Sequence, residues 1–464
     1  MPKLFKTRVA ARAAAILLSV VMMLMFAAGC KPAGNEEPSA TNGANATEAA
    51  PDGDGTAKTE GNPVVISSPA LDFTLYDFRS AYYGSQDYMY MMYGMIMPED
   101  YFNSVVNNCT EYLCVYNAAV ESGITLADDD EAEINESFDE QLEGIISQYM
   151  NGVDSAVTDE AERRSQAIAL LNNDLSADGL DYDTFTALAK NNLRVNKILD
   201  KYFDVLHDQI SVSDTEVGDY IAKQMESADK MTMDDFRSSY EAYSMGQGFF
   251  PVYVPDECFS VNHILLMYQT SSDESGSVVY DKESTKQAEA EIEGKLSQTA
   301  DFDAFMELEV KYGEDPGMDE EGFRENGYLI HGDFDYTYYE GFVYAAMNLY
   351  YGSWTPSPNP STGSVYELPE LKYFTLKDGT VVVKVATEPG VHYIIVNKTF
   401  TRGQLPYELG DRYWMSWSEA VKEEKFNDMY SDLMEGWKSK YNVTVYTDVF
   451  KAEFVAPENG EDAG

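Results

Sequence analysis

The chain has 464 residues, of which 44% are hydrophobic, so it is long enough for two or three domains with sizeable cores. It carries 80 acidic and 32 basic residues, and its formal net charge is −48. Because nucleic-acid binding requires a basic surface, this balance excludes a duplex-binding protein and predicts no nucleic-acid partner.

The first 30 residues have the composition of a secretory signal. A basic segment spans residues 3–12, the uncharged apolar run Ala13–Ala28 follows it, and a glycine and Cys30 come next. This order resembles a bacterial lipoprotein signal, in which the cysteine, here Cys30, is lipidated and becomes the mature N-terminus. The resemblance implies an extracytoplasmic protein held on the bacterial cell membrane by its lipid. Ala27 stands where that family prefers Leu, and an uncleaved membrane helix or an ordinary signal peptide is the alternative.

Two segments lack the apolar residues that a core needs. Residues 31–63 contain no aromatic side chain and are rich in small and polar residues, so they predict a flexible tether. Residues 456–464 are short and acidic, and we expect them to be a disordered tail.

The three cysteines beyond Cys30 are Cys109, Cys114 and Cys258. Their number is odd and no two of them form a C-x-x-C pair, so the sequence supports neither a disulfide framework nor a zinc site. We expect small buried thiols, and no metal or cofactor site is predicted.

Residues 64–250 predict a helical domain that opens with a short strand at Val64-Val65-Ile66. A segment dense in Tyr and Met follows, with Tyr82, Tyr83, Tyr88, Met89, Tyr90, Met91, Met92, Tyr93, Met95 and Met97. We expect most of these side chains to pack in a core. The alternative is an adaptable binding surface. The acidic segment 128–140 is expected to be solvated, ahead of a helix around residues 142–149.

The clearest helical pattern covers residues 184–210, where apolar residues recur at spacings of three and four along one face. Ser213 and Glu216 then form a capping-box pattern that begins another helix. His207 lies near a predicted helix end, where a structural role is favoured. Glycines and prolines in 246–255 predict a domain boundary.

Residues 258–398 predict a compact unit with a strand at each end. Cys258–Leu266 and Gly390–Val396 are rich in β-branched and apolar residues, and each contains one histidine. Helical patterns lie at residues 283–297, at residues 301–306 with Asp301 as the cap, and at residues 342–349. Residues 271–278 predict a polar loop. Residues 355–388 contain two strand patterns around Asp378-Gly379, which favours a type I′ hairpin.

These motifs, in this order, resemble the parvulin family of peptidyl-prolyl cis/trans isomerases. The family's first strand reads V-x-x-H-I-L, and Val261-Asn262-His263-Ile264-Leu265 resembles it, with one residue instead of two between the Val and the His. Asp301-Phe302 and Tyr312-Gly313-Glu314-Asp315 resemble the two ends of the segment D-F-x-x-x-A-x-x-Y-S-x-D, with Gly313 in place of Ser and three more residues between the ends. Phe342–Leu349 matches the helix F-x-x-A-x-F-x-L, and Gly390-Val391-His392 matches the last strand.

The resemblance implies roles for six residues. His263 and His392 would form a paired-histidine network, with Asp315 at the family's Cys/Asp position. Phe334, Phe342 and Met347 would bind the prolyl ring, Met347 standing where the family has Phe. The alternative is a pair of core histidines without turnover. His331 has no counterpart in the family and is expected at the surface.

The chain departs from the family in three places. Glu325-Asn326-Gly327-Tyr328 replaces a Gly-Asp-Leu-Gly turn, Tyr393 follows the second histidine, and residues 355–388 exceed the usual loop.

The C-terminal region predicts a helix over residues 416–441 and a strand at 443–446. The layout resembles extracytoplasmic foldases of the PrsA and SurA type. It implies an α+β protein in which a helical, chaperone-like N-terminal domain (64–250) is completed by a C-terminal helix and strand (404–450). A parvulin-like domain (258–398), with an antiparallel sheet and surrounding helices, would be inserted between them.

The implied partners are unfolded or partly folded secreted polypeptides, and a homodimer is possible. An inactive holdase and a solute-binding lipoprotein are the alternative functions.

Overall fold

The computed structural model describes residues 62–85, 87–176, 179–272, 277–332, 338–356 and 368–455. Several sequence predictions lie outside the described residues: the signal with Cys30, the tether up to residue 61, Phe334, part of the 355–388 insertion, and the acidic tail.

The helices, numbered in chain order, are α1 (Leu75–Gly84), α2 (Asp87–Met92), α3 (Pro98–Glu121), α4 (Asp128–Met150), α5 (Glu160–Ser176), α6 (Tyr182–Asp208), α7 (Asp214–Met225), α8 (Met233–Ser244), α9 (Lys286–Leu296), α10 (Phe302–Tyr312), α11 (Pro316–Asp319), α12 (Glu321–Asn326), α13 (Glu340–Tyr351), α14 (Arg412–Tyr441) and α15 (Thr447–Phe454). The strands are β1 (Val64–Ser67), β2 (Asp72–Thr74), β3 (Tyr253–Val254), β4 (Cys258–Met267), β5 (Gln269–Ser272), β6 (Val278–Asp281), β7 (Tyr328–Ile330), β8 (Lys372–Thr375), β9 (Val381–Ala386), β10 (Gly390–Phe400), β11 (Gly403–Gln404) and β12 (Thr444–Val445). Helices and antiparallel sheets both occur, which confirms the α+β class.

The described residues form two compact units. One comprises the chain up to Ser211 together with the chain from Lys422 onward, and the other comprises Val212–Val421. The functional domains inferred from the sequence remain predictions.

The first unit packs helices around a three-stranded antiparallel sheet of order β12-β1-β2. The apolar face predicted for α6 is confirmed in its central part, where Leu188, Val195, Leu199, Tyr202 and Leu206 are buried. Its other two predicted members, Asn192 and Ile210, are partly buried, and Ile210 follows the end of the helix. Burying such a stripe stabilises a helix more than its intrinsic propensity does.

Helix α4 begins at Asp128, earlier than the apolar pattern indicates. Three basic residues of α6 pair with its acidic first half: Arg194 with Glu131 at 2.9 Å, Lys197 with Glu133 at 2.6 Å, and Lys201 with Asp130. Acidic side chains also interact favourably with the positive end of the helix dipole. The acidic segment is therefore largely exposed, as predicted, but it forms the first half of α4 and pairs with α6 instead of preceding the helix.

The expectation that most of the Tyr/Met segment is core is wrong for its second half. Tyr82 is 2% exposed and packs against Tyr101, but exposure rises to about half or more at Met89, Tyr90, Met92, Tyr93, Met95 and Met97. We call these six residues the Met/Tyr surface. Helix α2, which contains Met89, Tyr90 and Met92, is only six residues long, and none of its residues is buried. Exposed apolar surface of this kind marks interaction sites in soluble proteins.

The second unit is built on a five-stranded antiparallel sheet of order β7-β4-β10-β9-β8. Its two longest strands, β4 and β10, pair along their whole length. Because side chains alternate between the faces of a strand, odd-numbered residues of β4 from Val261 onward share one face with even-numbered residues of β10 up to Val396, where the register shifts. That face packs on α13 through Val261 and Ile394, whereas Ile264 and Ile395 on the other face pack with side chains of α9 and α10.

Local sequence chemistry explains several boundaries in this unit. The Ser213–Glu216 capping box begins α7, with Ser213 N–H donating to Glu216 Oε2 at 2.7 Å. Asp301 caps α10 by accepting from the amide of Ala304 at 3.1 Å. Both predicted caps are confirmed.

Two loop predictions are wrong. Residues 271–278 are not simply a polar loop, because Ser271 and Ser272 end β5 and Val278 begins β6, with which β5 pairs. Strands β8 and β9 form the expected hairpin, but a type I′ turn needs two positive φ angles. Gly379 has a φ of 93° and Asp378 has no positive φ. The Asp378 carboxylate instead accepts from Thr380 N–H and Oγ1–H at 2.9 and 2.8 Å, which stabilises a longer turn.

Cys109, Cys114 and Cys258 are buried, as predicted, and are free thiols. Burial raises the pKa of Cys258 to about 12, which keeps it protonated and unreactive. Within the part of the chain that the structure describes, no helix has the length and apolar character needed to cross a bilayer.

Candidate active site

The sheet brings the two predicted histidines together from residues 129 positions apart. In the β4–β10 register, His263 is opposite Ile394 and His392 is opposite Leu265, so both rings project from the face that α13 covers. Their Nδ1 atoms are 2.9 Å apart, and the rings are nearly parallel at an interplanar angle of 10°. Each histidine is 3% exposed.

Asp315 binds the outer nitrogen of His263. Its Oδ2 is 2.6 Å from His263 Nε2, and its Oδ1 accepts from the amide of Gly317 at 3.0 Å. The same carboxylate is the N-cap of α11, with Pro316 at the first helical position. The cap therefore fixes the orientation in which the carboxylate meets the imidazole.

Thr387 is the hydrogen-bond partner at the other end of the histidine pair. Its Oγ1 is 2.8 Å from His392 Nε2. The hydrogen-bonded order is thus Thr387, His392, His263, Asp315, and every ring nitrogen of the two histidines has a partner within 2.9 Å.

One arrangement of protons satisfies all of these contacts with both imidazoles neutral. An ionised Asp315 only accepts, so His263 carries its proton on Nε2 and accepts at Nδ1. His392 then donates from Nδ1 and accepts at Nε2 from the Thr387 hydroxyl. The tautomer of each ring is therefore determined by the carboxylate at one end and the hydroxyl at the other.

The electrostatics agree with this arrangement. Burial, and next the nearby charge of His263, hold the pKa of His392 well below its usual 6.5. Burial alone would raise the pKa of Asp315, but hydrogen bonds from His263, Gly317 and Tyr328 together with the His263 charge lower it overall. A neutral His392 beside an ionised Asp315 is the expected state near neutral pH.

Phe342 from α13 packs against both imidazoles. Its ring centroid is 5.0 Å from that of His263 and 5.2 Å from that of His392, in edge-on geometry. Phe342 is 3% exposed and Met347 is 4% exposed. Met347 belongs to the same core, and its Cε would lie 3.7 Å from a Cβ built on Gly332. The binding roles of Phe342 and Met347 remain predictions, and Phe334 lies outside the described residues.

Two tyrosines complete an aromatic circuit that the motif comparison did not include. The ring of Tyr328 is 5.6 Å from His263 and 5.6 Å from Tyr338, and Tyr338 is 6.0 Å from Phe342. Tyr328 is the last residue of the segment 325–328, which was noted above as a departure, so the departure itself marked the position. Thr387 had a weaker indication, a hydroxyl residue in the turn before a predicted strand.

The remaining two histidines have other neighbours. The side chain of His331 is only 13% exposed and its Nε2 is 3.8 Å from Asp256 Oδ2, so the prediction of a surface residue is wrong. His207 stacks on Phe426 with centroids 3.8 Å apart, which agrees with a structural role. Among the described residues, no group of three or more His, Cys, Asp or Glu side chains has the geometry of a metal site.

Comparison with known proteins finds no matching family model and no matching curated protein. Similar solved structures include peptidylprolyl isomerase PrsA from Bacillus anthracis, with 14% identity, coverage of 71% of this chain and 96% of that chain, and a TM-score of 0.15. The foldase protein PrsA from Lactococcus lactis has 12% identity over 84% of this chain and 97% of that chain, with a TM-score of 0.20. Peptidylprolyl isomerase PrsA from Bacillus cereus has 13% identity over 84% and 98%, with a TM-score of 0.16. Because these identities and TM-scores are low, the similarities do not establish the family of this chain.

Proposed function

We propose that the chain is an extracytoplasmic, lipid-anchored foldase that isomerises X–Pro peptide bonds. The observation that carries the proposal is the buried His392–His263–Asp315 hydrogen-bond chain with Phe342 packed against both rings. In this proposal Val212–Val421 contains the parvulin-like domain, inserted in a helical chaperone-like domain, and Cys30 carries the lipid.

Isomerisation requires no covalent step. The peptide bond is planar because resonance gives the C–N bond double-bond character, and rotation costs about 18–20 kcal/mol. Uncatalysed X–Pro exchange takes tens of seconds or longer. Resonance also places negative charge on the carbonyl oxygen, and this charge falls as the amide twists. A pocket that excludes water therefore favours the twisted amide relative to the planar one.

Phe342 would supply the apolar contact to the prolyl ring, and the two neutral imidazoles packed against Phe342 would hold its ring in place. The imidazoles are almost inaccessible, so they would act by holding the pocket in one arrangement of dipoles rather than by exchanging protons with the substrate. Each 1.4 kcal/mol of selective stabilisation of the twisted amide gives about a tenfold acceleration.

The Met/Tyr surface would bind the clients. Unbranched Met side chains adapt to varied apolar partners. A second copy of this chain would bring the same charge of −48, which disfavours self-association, whereas a basic unfolded segment is attracted. We therefore propose apolar, net-basic stretches of secreted polypeptides as the occupants of this surface.

Refolding of a model protein whose slow phase is limited by proline isomerisation tests the enzymatic proposal. Wild type is expected to accelerate that phase, and His263→Ala is expected to lose at least about tenfold of the acceleration. His207→Ala, which removes a histidine outside the cluster, is the matched control and should behave as wild type. No acceleration by wild type, or equal rates with His263→Ala, would remove the proposal.

The exposure of the Met/Tyr surface favours a second candidate, a holdase with an inactive isomerase-like domain. This candidate predicts suppressed aggregation of a model client and an unchanged rate of the proline-limited phase. Measuring yield and rate in the same refolding experiment separates the two functions.

A further inference from the structure

The hydroxyl of Tyr328 bonds to the same carboxylate oxygen as His263. Tyr328 Oη donates to Asp315 Oδ2 at 3.0 Å, and His263 Nε2 is 2.6 Å from that oxygen. The Gly317 amide donates to the other oxygen at 3.0 Å. Three donors from three separate segments thus converge on one carboxylate whose side chain is only 18% exposed.

The position of this hydroxyl depends on two glycines. Gly327 has a φ of 77°, and a Cβ there would lie 2.7 Å from the Val261 carbonyl oxygen. This turn leads from α12 into β7, where Tyr328 pairs with Val261, two residues before His263. A Cβ on Gly317 would lie 2.0 Å from Tyr328 Oη. The tyrosine is therefore held over Asp315 by the backbone on both sides.

We propose that Tyr328 is a positioning residue of the site: its hydroxyl orients Asp315 and keeps it an ionised acceptor, and so fixes the tautomers of His263 and His392. An apolar side chain at this position would have no donor for this carboxylate. The inference rests on the proposed isomerase function for its catalytic meaning. The proton arrangement itself can be tested without turnover.

The phenol is suited to act only as a donor. Burial, together with the charge of Asp315, raises the pKa of Tyr328 well above its usual 10, so the hydroxyl keeps its proton at every pH of an assay. A donor that never titrates stabilises the ionised carboxylate over the whole range.

Several other charged or titratable groups surround Asp315. Glu309 on α10 is 2% exposed and pairs with Arg324 on α12 at 3.2 Å, and Arg324 also lies 3.4 Å from Asp319. Glu314 accepts from the Met267 amide. Burial raises the pKa of Glu309. These groups are present both in the wild type and in a variant that lacks the Tyr328 hydroxyl. A difference in pH dependence between the two proteins therefore reports on the Asp315 cluster.

The sign of the expected pH effect follows from the hydrogen bond. The Tyr328 hydroxyl stabilises the ionised form of Asp315, so its removal raises the pKa at which the coupled His392–His263–Asp315 cluster takes up its first proton. Activity that needs the ionised carboxylate then falls at a higher pH as the solution is acidified. Tyr328→Phe should move the acid limb of kcat/KM to higher pH and lower kcat/KM at the acid end by about tenfold.

The matched control is Tyr338→Phe. This variant also removes one hydroxyl from the aromatic circuit, but that hydroxyl bonds to Glu241 rather than to Asp315. Its acid limb should lie where the wild-type limb lies. If Tyr328→Phe does not fold, Tyr328→Leu removes the same hydroxyl. An acid limb that is the same in wild type and the folded Tyr328 variant, or that shifts equally in Tyr338→Phe, would overturn the proposal.

Imidazole ¹⁵N NMR separates this inference from the proposed function. The chain has four histidines, so each ring can be assigned by substitution. Wild type should show His263 protonated on Nε2 and His392 on Nδ1, and the Tyr328 variant should lose this pattern at a higher pH. If wild type is inactive but the two titrations differ in this way, the isomerase proposal fails and the positioning role stands. Identical titrations in an active enzyme would refute the positioning role alone.

Discussion

Two regions rich in apolar residues have opposite fates in this molecule. Strands β4 and β10 are rich in apolar side chains and contain one histidine each, and every residue of Cys258–Leu266 and of Gly390–Ile395 is buried. The Met/Tyr surface has as much apolar character, yet its six side chains are about half exposed or more. The difference is that the strands pair with each other and are covered by helices on both faces.

This contrast shows what makes a rigid site and what makes an adaptable surface. In the paired strands each buried imidazole nitrogen has a hydrogen-bond partner, which holds one geometry, because an unsatisfied buried polar group is costly. On the Met/Tyr surface the side chains are unbranched or amphipathic and face solvent, so many partners fit. The first region is suited to chemistry on one bond and the second to binding varied clients.

Gly390→Ala should have the largest effect on stability, because it strikes the strand pairing directly. A Cβ at the first residue of β10 would lie 2.1 Å from the Leu266 carbonyl oxygen, so the two central strands would have to separate. We expect the free energy of unfolding, measured by urea denaturation, to fall by about 3 kcal/mol.

Gly294→Ala in α9 is the matched control, since a Cβ there meets no atom within 4 Å. It should be neutral or stabilise by up to about 1 kcal/mol through helix propensity. Equal stability of the two variants would mean that β4 and β10 are not packed as tightly as described.

The second-largest effect on the free energy of unfolding is expected from acid, which acts on the buried histidine cluster. The depressed pKa of His392 means that the unfolded chain binds a proton that the folded chain refuses, so stability falls as the pH drops below the unfolded pKa of about 6.5. Between pH 7 and pH 5 we expect a loss of about 1–2 kcal/mol in the free energy of unfolding.

The depressed pKa of Asp315 affects stability at lower pH, because its contribution to the free energy of unfolding is present above the usual 3.8 and is lost as pH falls through the folded pKa.

The variant His392→Gln, unfolded by urea at the same pH values, tests the contribution of His392. Its free energy of unfolding should depend less steeply on pH between pH 7 and pH 5. An equally steep dependence in that variant would place the titrating group elsewhere.

Changes at the Met/Tyr surface should barely affect stability. We expect the combined variant Met92→Ser, Met95→Ser, Met97→Ser to change the free energy of unfolding by no more than about 0.5 kcal/mol per site, because the side chains are exposed. The same variant should lose suppression of client aggregation, measured by light scattering.

The control replaces three exposed apolar residues of the second unit, Val310, Leu409 and Met415, with Ser. It should retain suppression of aggregation. Equal suppression by the wild type and both variants would show that the Met/Tyr surface does not bind clients.

The parts of the fold that the sequence predicted are those that depend on local pattern. The stripe on α6 and the caps at Ser213 and Asp301 follow from residues within a few positions of one another. Clusters of apolar and β-branched residues placed His263 and His392 in strands, and the resemblance to parvulins placed Asp315 beside them.

The parts that the sequence missed depend on distant neighbours. Tyr328 reaches Asp315 because β7 pairs with β4, and no local pattern contains that contact. The early start of α4 depends on basic residues of α6 more than 60 positions away. The exposure of Met89 and its neighbours likewise depends on what else covers them, since the same Met and Tyr residues suit a core or a surface.

The most direct test of the central claim is the exchange rate of an X–Pro bond in a short unstructured peptide, measured by NMR exchange spectroscopy. A short peptide has no fold to assist and no tendency to aggregate, so only isomerase activity changes its rate. We predict that catalytic amounts of wild type accelerate cis–trans exchange and that His263→Ala accelerates it at least about tenfold less. Exchange at the uncatalysed rate in the presence of folded wild type would contradict the account.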